Sequence, residues 1–191
     1  MKKSNKKNEI VQTAVALIAE KGFHGAPMAL IAEKSKVAIG TIYRYFENKD
    51  ALINDLYNEL EKECMAALQK GYSANKPFRE RFIHLGTTLL RYLTTHPIHF
   101  RYIEQYHNSP YGVSLRIDCM LGNADENHIF AELFTEGIAQ QILKDVPLTV
   151  LFSVSIGPLL TLARHHILGF IILDDTQIKQ TVEACWDGIK K

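Results

Sequence analysis

The sequence predicts an all-α protein, and three observations carry that expectation. Apolar residues recur at three- and four-residue intervals along almost every segment. No Asn-Gly or similar dipeptide joins two alternating runs, so hairpins have no signal. Breaks rich in Gly, Pro, Asn and Asp leave segments of helical length between them. About nine helices result: three short ones in a first domain over 1–50, then longer ones in a second domain over 51–191.

In chain order, the first helix covers about 8–21, with Ile10, Ala14, Leu17 and Ile18 on one face and Gly22 as its stop. The lysine-rich residues before it are expected to fray. A short second helix starts at Pro27, where proline suits a first turn, and puts Leu30, Ile31 and Ala32 inside. After a break near Lys36–Ala38 comes a third short helix over "GTIYRYFENK", Gly40 to Lys49. Asn48 or Asp50 can cap a long fourth helix reaching about Lys70. Six more follow near 77–95, 97–108, 113–121, 124–143, 147–168 and 175–190. Asn75, Pro97, Ser109-Pro110, Asn123, Pro147 and Asp174-Asp175 mark their boundaries.

At 100° per residue, the third helix turns Ile42 and Phe46 inward, with Ile39 and Tyr45 flanking them. Gly40, Thr41, Tyr43 and Arg44 face away. Hydroxyls and a guanidinium suit phosphate oxygens and base edges, and Gly40 allows close backbone approach. A short helix, a tight turn and a second short helix make a helix-turn-helix, whose second helix enters the major groove of DNA. The bland alternative is a solvated helix face.

Charge supports the sharper reading. Net charge is +1 over 191 residues, but residues 1–54 hold nine Lys/Arg against five acids, and the remainder thirteen against sixteen. A basic head on an acidic body suits a phosphate-binding head. At 47% hydrophobic and 23% charged, the chain is an ordinary globular protein. Cys64, Cys119 and Cys185 lie far apart and form no CxxC pair, which suits reduced thiols in the cytoplasm. The N-terminus lacks the apolar run of a signal peptide. Val146 to Ala163 runs eighteen residues without a charge, but Pro147, Gly157 and Pro158 interrupt it. We expect a core or interface helix there, and no membrane span.

The segment "IVQTAVALIAEKGFHGAPMALIAEKSKVAIGTIYRYFENKDALI", Ile10 to Ile53, closely resembles the N-terminal DNA-binding domain of the tetracycline-repressor (TetR) family. Ala14, Gly22, Phe23, Ile31, Ala32, Val37, Gly40, Thr41, Ile42, Tyr43, Tyr45, Phe46, Lys49 and Leu52 carry the match. The resemblance implies that Thr41, Tyr43, Tyr45 and Lys49 contact operator phosphates. With the outward face and the turn, the expected DNA-binding set is Lys36, Ile39, Gly40, Thr41, Tyr43, Arg44, Tyr45 and Lys49. Four positions depart from the family pattern. Ala38 replaces the usual capping serine or threonine, a loss of ~1 kcal/mol. Lys36 replaces a turn glycine, which strains the turn if φ is positive there. Ile39 stands where polar residues are usual and can pack on a thymine methyl. Ala26-Pro27 replaces a threonine start to the second helix.

For the rest of the chain the resemblance implies a helical ligand-binding and dimerisation domain, its last two helices forming a four-helix bundle with a partner. Leu148, Phe152, Leu159, Ile178, Val182 and Trp186 are the expected dimer interface. Tyr92, Tyr102, Ile103, Tyr106, Phe130, Phe134 and His165 are candidates to line a pocket for a small hydrophobic or aromatic effector, although core packing would explain each alone. His96, His99, His107, His165 and His166 lack the cysteine or carboxylate partners of a metal site, and no catalytic motif or cofactor motif occurs. The expectation is therefore a homodimeric transcriptional repressor on a palindromic double-stranded DNA operator, neither an enzyme nor a membrane protein. A helical enzyme or carrier with a merely structural N-terminal module is the rival, and salt-dependent DNA binding separates the two.

Overall fold

The computed structural model describes residues 2–113 and 129–191. Among these residues the chain forms ten α-helices and no strand, with one isolated antiparallel bridge between Leu143 and Lys190. The first five helices are α1 (Lys2–Gly25), α2 (Met28–Lys34), α3 (Ile39–Tyr43), α4 (Lys49–Gln69) and α5 (Phe78–Thr95). Then come α6 (Pro97–His107), α7 (Ile129–Ala139), α8 (Leu148–Ser155), α9 (Gly157–Ile167) and α10 (Asp175–Ile189). The helix expected at 113–121, the start of the one expected at 124–143, and Cys119 lie outside the described residues.

Several boundaries differ from the sequence expectation, and three of them have a plain local reason. Helix α1 begins at Lys2, and Gly22, at φ 72 and ψ 173, interrupts it before a last turn to Gly25. Only glycine takes that left-handed φ cheaply, so the stop read at Gly22 is where the regular helix ends. Helix α3 ends at Tyr43, earlier than expected. The amides of Tyr45 and Phe46 both bond the Ile42 carbonyl at 2.9 and 3.0 Å, which closes the helix instead of extending it. The helix expected over 147–168 is two, α8 and α9, meeting at Ile156. Pro158 has no N–H to give and its ring crowds the preceding turn.

Caps account for two starts. Asn48 Oδ1 accepts from the Ala51 amide at 2.7 Å and opens α4. Asp174 opens α10 through a capping box in which its side chain accepts from Gln177 N and the Gln177 side chain accepts from Asp174 N.

Contacts divide the chain into two compact units. The first holds α1–α3, most of α4, and α6; the second holds the end of α4 with α5 and α7–α10. The division is not sequential, because α6 packs against α1. In the first unit Ile10, Ala14, Leu17 and Ile18 of α1 are buried as their spacing predicts. Tyr106 of α6 stacks on Tyr57 of α4 with centroids 4.0 Å apart, and Tyr102 donates to the Ile53 carbonyl at 2.7 Å.

In the second unit α5 is the central packing element, meeting α9 and α10. Trp186 lies 5.9 and 5.5 Å from the rings of Phe78 and Phe82. Gly86 permits close approach of α10, since a Cβ there would come within 2.7 Å of Val182 Cγ1. Arg81 is buried and held by Glu136, Nη1 to Oε1 at 2.8 Å and Nη2 to Oε2 at 2.5 Å, while its Nε donates to the Tyr72 hydroxyl. The Arg81 guanidinium keeps the Glu136 carboxyl below its ordinary pKa.

Ile178, Val182, Trp186 and Leu159, expected to face a partner, are buried within one protomer. The α10 stripe is real, but α5 already covers it. Leu148 and Phe152, also expected there, are half-buried, and the large apolar side chains most open on α8 and α9 are Val150, Val154 and Leu160. By length and composition Leu148–Ile167 could cross a membrane, and 22% of it is buried inside the protomer.

Candidate nucleic-acid interface

The candidate interface is built from α2, the turn after it, α3 and the start of α4, all in the first unit. Ile42 and Phe46 are buried, as are Ile31 and Ala32 of α2, so the inward side of α3 is fixed by a small apolar core. The turn between α2 and α3 is tied down by the Lys36 amide to the Glu33 carbonyl at 3.1 Å and the Val37 amide to the Ala32 carbonyl at 3.0 Å. The buried Ser35 hydroxyl donates back to Ile31 O at 2.6 Å. Lys36 itself has φ 55, a left-handed conformation that glycine would adopt without steric cost.

With its core side anchored, α3 turns the rest outward. Ile39 is 45% exposed and Tyr43 50%, although both are large and largely apolar. Gly40 and Arg44 are exposed, and Thr41 and Tyr45 are half-buried. A Cβ at Gly40 would meet nothing within 4 Å, so nothing in the protomer itself requires glycine there. The helix starts after Ala38 without a side-chain cap, and the Thr41 amide bonds the Ala38 carbonyl at 2.8 Å. Lys49, at the first turn of α4, is half-buried and donates to the Phe23 carbonyl; burial lowers its ammonium pKa from the ordinary value. Its remaining two N–H donors stay available.

The candidate pocket residues do not come together in one unit. Tyr102, Ile103 and Tyr106 sit on α6 in the first; Tyr92, Phe130, Phe134 and His165 sit in the second. The Tyr106 hydroxyl donates to Asn54 Oδ1 at 2.7 Å. In the second unit Phe134 meets Phe130, Phe82 and Phe152 at 6.1, 6.4 and 5.0 Å. Among the described residues no group of His, Cys, Asp and Glu is arranged to hold a metal.

Sequence reasoning missed one supporting group. Lys7 pairs with Asp55 at 2.9 Å and Glu59 at 3.2 Å and lies 5.5 Å from the centroid of the Phe46 ring. These contacts hold α1, α4 and the segment after α3 together. Partners 48 and 52 residues away leave no local signal.

A short helix, a tied turn and a second short helix with an anchored inner side and an open outer one define a helix-turn-helix regulator. Comparison with known proteins makes the class specific. Residues 10–56 match the profile of bacterial regulatory proteins of the tetR family, and residues 77–190 match the tetracyclin repressor-like C-terminal domain. The chain belongs to the TetR family. An uncharacterized HTH-type transcriptional regulator of Haemophilus influenzae is 24% identical over 99% of this chain and 98% of its own length. The crystal structure of a TetR-family regulator from that organism superposes over 100% of both chains at TM-score 0.82 and 24% identity. A candidate TetR-family regulator from Vibrio parahaemolyticus is 30% identical over 97% of this chain and 99% of that one, at TM-score 0.75.

Proposed function

We propose that this regulator is a homodimeric repressor that holds a palindromic operator and leaves it when a small, largely apolar ligand binds. The outward side of α3 carries this reading. Large side chains at Ile39 and Tyr43 stand in water beside Gly40, Thr41 and Arg44, an arrangement without a packing purpose in the protomer. A major groove gives each of them one: hydroxyls and guanidinium for phosphates and base edges, Ile39 for a thymine methyl. Lys36 and Lys49 add charge at either side.

Reading a palindrome requires two α3 helices about 34–36 Å apart or a multiple of that. The open apolar side chains Val150, Val154 and Leu160 supply a surface on which a second copy can pack. The effector site belongs among the second unit's aromatics, around Phe130 and Phe134. A Bacillus subtilis relative named fatty acid metabolism regulator protein is 41% identical over 73 residues, 38% of each chain. An apolar effector is consistent with that relative's name.

Selection from a pool of random duplexes identifies the operator, and the selected half-sites and spacing report the symmetry. Val154→Glu with Leu160→Glu then yields monomers by light scattering and loses specific binding in the same step. A monomer that still holds the selected operator tightly overturns the dimeric reading.

A further inference from the structure

Beside the recognition helix, the first unit has an open cleft of about 590 Å³ between the start of α1 and the end of α2. Side chains with polar ends line it, although their stems make its surface more apolar than polar. Asn8, Gln12 and Thr13 come from α1, and Lys34 and Lys36 from the segment that ends in the turn before α3. Glu9 is the single acid among these walls. The cleft therefore runs directly into the turn that presents α3, on the side where Lys36 is exposed.

We infer that this cleft holds a sugar–phosphate strand of the operator outside the base pairs that α3 reads. The inference rests on the DNA-binding function proposed above and extends the interface to residues outside the helix-turn-helix. Amide and hydroxyl side chains with two ammonium groups are the donors that phosphodiester oxygens accept from, and none of them distinguishes one base from another. Lys6, exposed on α1 just before the cleft in sequence, adds a further positive charge. Lys7 is excluded from this role, because Asp55 and Glu59 hold it at 2.9 and 3.2 Å, whereas Lys34 meets Glu33 only at 3.7 Å and both of those side chains are exposed, a pair that a phosphate can displace. Glu9 opposes a phosphate, which gives the proposal a variant of opposite sign.

The test is fluorescence anisotropy with the full-length protein on the selected operator and on a scrambled duplex, each across a range of salt concentrations. Lys34 is exposed, so Lys34→Ala leaves the fold intact, which circular dichroism melting verifies. Lys34→Ala weakens binding to both duplexes by a similar factor, about three- to tenfold, and lowers the salt slope by about 0.9, the value for one phosphate contact. Gln12→Ala weakens both equally with little change in slope, and Glu9→Gln strengthens both. Tyr43→Ala serves as the comparison inside the established helix-turn-helix. If Lys34→Ala, Gln12→Ala and Glu9→Gln all bind as the parent does while Tyr43→Ala weakens binding, the cleft lies outside the interface and the inference is wrong. If the parent protein binds no duplex with salt dependence, the DNA-binding reading itself fails.

Discussion

Lys36 occupies a left-handed backbone position at φ 55, which costs a non-glycine residue roughly 1–2 kcal/mol. Replacing it with glycine removes the strain and returns part of the gain to the more flexible unfolded chain. Lys36→Gly therefore raises stability by about 1 kcal/mol, read as a higher urea midpoint at an unchanged m-value, while operator affinity falls with the lost charge. A lower midpoint would mean that the lysine side chain stabilises the turn by more than its backbone strains it. The two sides of α3 separate just as cleanly. Tyr43 is half exposed and Phe46 buried. Tyr43→Ala weakens operator binding by about 1–2 kcal/mol with little change in melting temperature, whereas Phe46→Ala destabilises the head by ~3 kcal/mol or more. If Tyr43→Ala melts the head and Phe46→Ala leaves it intact, the two sides are exchanged. At this scale the sequence was informative, because a 100° rotation turns Ile42 inward and Tyr43 outward; Phe46 is buried as expected but lies past the end of α3. The bond from Lys49 to the Phe23 carbonyl was not legible there, since it depends on where Gly22 redirects the chain.

Among elements, α5 against α10 is the packing that sequence periodicity described only in part. The stripe Ile178, Val182 and Trp186 identified an apolar side of α10 but not what covers it, and a helix of the same protomer does. A helical wheel reports that a side is buried; it cannot distinguish a partner's helix from the chain's own. The same limit applied to the helix expected over 147–168, where periodicity suggested one helix and Pro158 makes two. Gly86 gives the α5–α10 contact a sharp test. Gly86→Ala places a methyl against Val182 Cγ1 and costs about 1–3 kcal/mol in chemical unfolding. Val182→Ala removes the obstacle but leaves a cavity, so each single change destabilises. The double variant recovers at least part of the loss, a positive coupling that a double-mutant cycle measures. Strict additivity would show that the two helices relax apart without cost.

For the whole molecule, the regulation proposed above ties operator binding to effector binding by linkage alone. An effector weakens operator binding only to the extent that it prefers the DNA-free arrangement, and DNA opposes it by the same factor. A small apolar compound that raises the melting temperature of the free protein therefore weakens operator affinity by about 5–150-fold, the usual range of coupling. Phe134→Ala diminishes the compound's effect more than it diminishes DNA affinity. Titration of the preformed protein–operator complex by fluorescence anisotropy decides it: stabilising compounds that leave operator affinity unchanged would sink the sensor role. The class of fold and the head were legible from residues 10–53, while the effector's chemistry was not, because core aromatics and pocket aromatics share one composition. Assembly has its own reporter, in the loop between α9 and α10. Phe170 there is 72% exposed and Ile172 82%, on backbone outside any helix. Chymotrypsin cleaves after accessible phenylalanines in such segments. The rate of nicking at Phe170, followed by mass spectrometry across a dilution series, gives a footprint of whatever covers this loop. A rate that rises on dilution marks the loop as shielded by association, and a constant rate marks it as open in every state.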